Sequence, residues 1–288
     1  MERFANNVKT VLLLGLIMGL AIVIARAWFG PMGILYGLLF GGVANLFAYY
    51  FSDKIALASM GAQEVSEEDA PELVGIVREL ANNAGLPMPR VYVSPHEAPN
   101  AFATGRNPSH AAVCVTHGLL ATMPARELRG VLGHELAHVR NRDILITTIA
   151  ATFAGAITAL ASMARWGLIL GGFGRGSDRE EGNPLAALLL IILAPIAALM
   201  IQMWISRTRE YNADSYGAQL AGDPLALANA LRRLEHYNRQ IPMDVNPARE
   251  GMFIVSPFSG QAVMRLFSTH PPLEERIRRL EEMAVRGV

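Results

Sequence analysis

One short stretch of this chain carries the residue types and spacing of a hydrolytic metal centre. In Gly133-His134-Glu135-Leu136-Ala137-His138, two imidazoles stand four residues apart, with a carboxylate directly after the first. On a helix, positions i and i+4 share one face, so both rings reach a single ion while Glu135 lies beside them. The chemistry favoured by this set is amide hydrolysis. A zinc ion, one per chain, makes water acidic near neutral pH, and Glu135 takes the proton as the oxygen attacks a peptide carbonyl. The plain alternative, a helix with two incidental His, leaves the three fixed positions unexplained.

Catalytic zinc usually has three protein ligands and one open position, so a third ligand must come from elsewhere. Glu210 is the candidate, in Ser206-Arg207-Thr208-Arg209-Glu210-Tyr211-Asn212-Ala213-Asp214. That segment begins where one apolar stretch ends, and the His134 helix ends where another begins, so both ligand sets arrive at the same face. Asp214 follows Glu210 by one helical turn and can orient a ligand His from behind. Its ordinary alternative is a surface carboxylate paired with an Arg. His96, His110, His117 and His236 lack ligand spacing with one another and read as surface or packing residues.

The elements that must position these groups are largely apolar. Of 288 residues, 52% are hydrophobic and 17% charged, which points to a membrane protein. Four stretches, Val11–Phe29, Gly33–Phe51, Ile144–Ala164 and Pro184–Ser206, approach the ~20 residues that cross a bilayer core. They form two hairpins, the first turning at Gly30-Pro31, and Pro195 kinks the last span or marks a break in its bonding. A cleaved signal peptide fits poorly, because the apolar signal resumes at Gly33. Arg3, Lys9, Lys54, Arg140, Arg142, Arg207 and Arg209 flank the spans on one side, which places both termini and the polar parts in the cytoplasm. The outer loop carries charges of both signs and a run from Gly171 to Gly176.

The polar segments read as a small α+β domain. Pro71–Ala84 is an amphipathic helix ended by Gly85, and Arg90–Ser94, Asn100–Thr104 and Ala111–Thr116 are short strands. A helix from about Pro124 to Arg142, capped by Thr122, is expected to run without a break into the third span. Further helices span Leu225–Tyr237 after Asp223-Pro224, and Leu273–Val285 after Pro272. Gln240–Gly260 reads as a mobile loop near substrate, or as linker. The expected organisation is therefore 1–52, a membrane hairpin; 53–143, the first peptidase segment; 144–206, a second hairpin; and 207–288, the segment with the third ligand. Lys plus Arg equals Asp plus Glu at 25 each, so no basic field exists to hold nucleic acid. The single Cys114 excludes an internal disulfide and a thiolate cluster, and suits a reducing compartment.

The Gly-His-Glu-Leu-Ala-His helix, the segment from Arg207 to Asp214, Asn100-Ala101-Phe102-Ala103-Thr104-Gly105 and Thr269-His270-Pro271-Pro272 together resemble HtpX-type membrane metallopeptidases. The chain is also similar to the CAAX prenyl protease branch, whose members are larger and cross the membrane more often. The resemblance implies a mainly α integral membrane protein with four transmembrane helices and a cytoplasmic zincin-like domain. It implies Glu210 as third zinc ligand, with Asp214 and Arg207 as supporting residues, and His270 stabilising the tetrahedral intermediate. Asn100, Ala101 and Phe102 would lie on an edge strand that pairs with the substrate backbone. The implied role is quality control: a protease of the bacterial inner membrane that cleaves unfolded or damaged proteins in contact with the lipid bilayer. Two other readings stay open, a processing enzyme for lipidated peptides and a membrane scaffold whose zinc is structural. A channel is disfavoured, because the spans lack intramembrane charges apart from Arg26 near an end.

Overall fold

The computed structural model describes residues 2–153, 207–240, 253–255 and 271–287. Two long helices lead the chain, α1 (Glu2–Phe29) and α2 (Gly33–Ser59), joined by the 3-10 turn Gly30–Met32. They pack closely enough that a methyl group on Gly37 would lie 2.5 Å from Ile22 Cα, so glycine is what lets the backbones meet. Stretches within Asn6–Val23 and Gly30–Ser59 are long and apolar enough to cross a membrane. Their outward faces stay open, Phe40 by 73%, and an apolar surface of this extent suits lipid rather than water. The two helices of the first expected hairpin and the turn at Gly30-Pro31 are therefore present. Of the third expected span, the helix α6 (Ile144–Phe153) is described. The rest of that span, the outer loop and Pro184–Ser206 lie outside the described residues.

The sheet contains β1 (Gln63–Glu64), β2 (Arg90–Ser94), β3 (Ala101–Gly105) and β4 (Ala111–Thr116), ordered β1-β2-β4-β3. β2 and β4 run parallel and the other pairs antiparallel, which leaves β3 at an edge. Alternate residues face two different layers, as the two-residue period of a strand requires. Val91, Ala101, Ala111, Val113 and Val115 enter the main core with α3 (Pro71–Asn83) and the later helices. Tyr92, Phe102, Ala112 and Cys114 face the other way, onto Ala56, Leu57 and Met60. The last turns of α2 thus continue beyond the apolar span at Phe51 to become a layer under the sheet. Every residue of β4 is buried because both of its faces are covered.

The remaining helices are α4 (His117–Thr122), α5 (Ala125–Asn141), α7 (Arg207–Ala221), α8 (Pro224–Gln240) and α9 (Leu273–Arg286). Four expectations need correction. Thr122 does not cap α5: its hydroxyl donates to the Gly118 carbonyl and closes α4, and Pro124 stands at the α5 N-cap. α4 itself is an unexpected helix, capped by the Thr116 hydroxyl, which accepts from Leu119 N–H. Nor does α5 run unbroken into the third span, because Arg142 adopts a left-handed conformation (φ 59°, ψ 32°) and stops it. Finally, Phe253, Ile254 and Val255 of the expected mobile loop are buried, at 5%, 2% and 7% exposure. The rest of Gln240–Gly260 lies outside the described residues apart from Gln240 itself, which ends α8.

Candidate metal centre

α5 and α7 cross in opposite directions, so that His134 faces Asp214 and His138 faces Glu210. The crossing is tight because the two helices present glycine to each other, Gly133 against Gly217. Through it, two ring nitrogens and a carboxylate converge. His134 Nε2 lies 3.1 Å from His138 Nε2, and the Glu210 oxygens lie 3.7 Å from each ring nitrogen. All three ligand atoms fall within 4.8 Å of one another. A tetrahedral ion bound at ~2.0–2.1 Å separates its donors by about 3.3 Å, so these residues fit such an ion with small adjustments. A carboxylate acting alone on two imidazoles would not require both Nε2 atoms to point at one place.

The groups behind the ligands are ordered by charge. His134 Nδ1 lies 2.9 Å from Asp214 Oδ1, and Asp214 accepts a two-pronged bond from Arg276, with Nε and Nη2 each at 2.7 Å. Arg276 is 1% exposed, and its third nitrogen donates to the Ile254 carbonyl at 2.7 Å. Burial alone would raise the Asp214 carboxyl, but the Arg276 fork and His134 overcome it and hold Asp214 down to about 2. Burial alone would likewise lower His138; the carboxylates of Asp143, Glu210 and Glu135 outweigh it and raise the ring to about 10. Asp143 Oδ2 lies 3.1 Å from His138 Nδ1.

Glu135 is 5% exposed, and its Oε2 accepts the Ala103 N–H at 2.8 Å. Burial raises its carboxyl above the ordinary glutamate value, opposed in part by the two His beside it. The bond also fixes the orientation of β3. Main-chain N–H and C=O groups of successive residues in an antiparallel edge strand point alternately outward and to the partner strand, so those of Ala101 and Ala103 point away from β4 and those of Phe102 towards it. Asn100 lies one residue before β3 and is paired with β4, its N–H donating to the Thr116 hydroxyl and its carbonyl accepting Thr116 N–H, both at 2.9 Å. The Asn100 side-chain oxygen accepts the Ile254 N–H at 3.4 Å, and the Phe102 ring packs with Tyr92 and Phe253.

Five of the residues named from sequence, His134, Glu135, His138, Glu210 and Asp214, thus gather around one point, and Ala103 ties Glu135 to β3, the strand on which Ala101 and Phe102 lie just after Asn100. Arg207 opens α7, but its side chain is outside the described set, as is His270. His110, His117 and His236 are exposed and His96 half-buried, in keeping with non-ligand roles. Sequence reasoning missed Arg276, Asp143 and Ala103. Arg276 stands in the charged run Glu274-Glu275-Arg276-Ile277-Arg278-Arg279, where a solvated helix face is the default reading. Asp143 gave one signal, a carboxylate five residues after His138. Ala103 acts through its backbone and gave none.

A mainly helical fold with a small mixed sheet, two membrane-length helices and a His-Glu-x-x-His helix facing a buried glutamate defines a membrane metalloprotease. Residues 67–284 match the model of peptidase family M48. The chain belongs to peptidase family M48, on its HtpX-type branch. It is 56% identical over 275 residues to a protease HtpX homolog of Desulfatibacillum aliphaticivorans, covering 96% of this chain and 89% of that one. It is 53% identical to the homolog of Sulfurihydrogenibium sp. (strain YO3AOP1), covering 97% of each chain. Among solved structures it is similar to S. mikatae Ste24p, with a TM-score of 0.53 and 22% identity. That match covers 96% of this chain and 66% of the other, and it is a likeness of fold.

Proposed function

We propose that this chain is a zinc endopeptidase of the bacterial inner membrane that hydrolyses unfolded or damaged proteins at the cytoplasmic face. The observation that carries this reading is the convergence of His134 Nε2, His138 Nε2 and Glu210 within 4.8 Å, beside a buried Glu135 that accepts a main-chain N–H of the edge strand β3. Two imidazoles and one carboxylate are the donors of a catalytic zinc site that keeps a position open. When bound, zinc supplies Lewis acidity to water and to the scissile carbonyl.

The chain's own groups account for the rest. Glu135, raised by burial, takes a proton from the attacking water and returns it to the leaving nitrogen. Asp214 holds the His134 ring by Nδ1 and keeps its Nε2 free. The β3 edge offers the main-chain groups of Ala101 and the Ala103 carbonyl to an extended peptide, the Ala103 N–H being taken by Glu135, and this favours unfolded segments over folded ones. Asn100 and Phe102 support that edge from behind, and His270 is assigned to the developing oxyanion. Four spans with cytoplasmic termini, and a site whose motif helix ends one short turn before the apolar segment from Ile144, would set the scissile bond near the lipid surface and admit membrane proteins as substrates.

Detergent-purified protein with added zinc is expected to degrade unfolded casein. Glu135→Gln should retain zinc and lose at least ~100-fold in rate, the scale of general-base catalysis. Equal inactivity of both proteins, or cleavage by the variant at the wild-type rate, sinks the assignment.

A further inference from the structure

We infer that Asp143 positions His138 for the metal, and that the left-handed turn at Arg142 is what delivers it. The inference rests on the reading of His134, His138 and Glu210 as ligands. Arg142 is the non-glycine residue with positive φ among those described, a conformation L-residues avoid. Such a conformation persists where the surroundings demand it. An unbroken helix would place residue 143 about 140° around the axis from His138, out of reach of its ring. The turn instead folds Asp143 back under the end of α5. Its N–H donates to the His138 carbonyl at 3.3 Å, and Oδ2 comes to 3.1 Å from His138 Nδ1.

The bland role for an aspartate at this place is to cap α6. A capping carboxylate accepts backbone N–H groups of the first helical turn. Here Thr147 N–H and the Thr147 hydroxyl bond to the Asp143 backbone carbonyl, at 3.2 Å and 3.1 Å. The carboxylate caps nothing: Oδ2 faces His138, while Oδ1 is buried without a hydrogen-bond partner. Asp143 is 2% exposed, so an aspartate has been buried and half-satisfied in order to face one ring nitrogen. An acceptor on Nδ1 fixes the tautomer whose Nε2 lone pair is free for a metal, as Asp214 does for His134. The membrane-side end of α5 is held from the other direction by Asn6, whose amide donates to the Asn141 carbonyl at 3.1 Å. The joint between the ligand helix and the third apolar segment therefore sets the pose of one ligand.

The test measures zinc affinity of the detergent-solubilised full chain by chelator competition, with the visible spectrum of the Co²⁺-loaded protein and the melting temperature of the metal-free protein. Asp143→Asn is expected to bind zinc 10- to 100-fold more weakly, the range for partners of metal-bound His, and to alter the Co²⁺ spectrum. Its metal-free melting temperature should stay at the wild-type value. Arg142→Gly, which suits the left-handed turn, should keep wild-type affinity. Wild-type affinity and spectrum in Asp143→Asn overturn the proposal. So does an affinity loss matched by a fall in metal-free melting temperature, which makes Asp143 a structural cap. His138→Ala separates the two levels: if it too binds zinc like wild type, the ligand assignment itself fails.

Discussion

Gly133 and Gly217 meet backbone to backbone where α5 crosses α7: a methyl group on Gly133 would lie 2.6 Å from the Gly217 carbonyl oxygen, and one on Gly217 would lie 2.5 Å from His134 N. The contact sets how far Glu210 stands from the two imidazoles. A methyl in either place must push the helices apart, since backbone cannot rotate out of the way as a side chain can. Gly217→Ala is expected to cost ~1–3 kcal/mol of stability, the range for overpacking. It should also release zinc more readily than wild type. Thermal unfolding and metal content after dialysis check both, and an unaltered metal content would show that the crossing distance is not critical.

Arg276 joins three parts of the chain, Asp214 on α7, the Ile254 carbonyl and α9. Removing one partner of a buried ion pair leaves the other charge stranded, so Arg276→Ala should destabilise by ~3–5 kcal/mol. Arg276→Lys keeps the charge but cannot form the two-pronged bond, and should fall between Ala and wild type. Denaturant unfolding of the three proteins gives the order; identical midpoints would refute it.

Among the described residues, Glu210 is the candidate ligand that comes from outside the motif helix. Glu210→Gln is nearly isosteric and preserves packing, yet it replaces an anionic donor with a neutral amide. The variant should fold, purify without stoichiometric zinc and lose proteolysis to background. Metal analysis beside circular dichroism checks this, and full zinc occupancy in the variant would move the third ligand elsewhere.

Cys114 lies at 0% exposure on β4, and burial pushes its thiol up to about 12. The unfolded chain keeps the ordinary value of 9.0. The folded thiol thus holds its proton more firmly, and the stabilisation is complete below pH 9.0 and lost as pH rises towards about 12. Maleimide should leave the native protein unlabelled at neutral pH and label it fully in denaturant. Cys114→Ala should lose less stability than wild type on the alkaline side. Rapid labelling of native protein would contradict this burial.

The motif helix was legible because its chemistry and its period coincide: His134 and His138 share a face by spacing alone. The apolar hairpin and strands β2 and β4 were legible for the same reason, each being a local pattern repeated over several residues. β1 was not, being two residues long, and α4 was missed because six residues between strand and helix give no period. Glu210 and Asp214 were readable as candidates from one helical turn and from where their segment must begin.

What the sequence determined by itself is the type of chemistry, the ligand helix, and the apolar segments that flank it, since all are set by neighbours along the chain. What only the tertiary structure decided is how the site is held. Arg276 reaches Asp214 across 62 residues and Asn100 reaches Ile254 across 154. Asp143 finds His138 only because one left-handed residue turns the backbone. Glu135 meets a main-chain N–H of β3 that no side-chain pattern encodes. Such contacts depend on packing between distant segments and on backbone direction, and a linear pattern of side chains specifies neither.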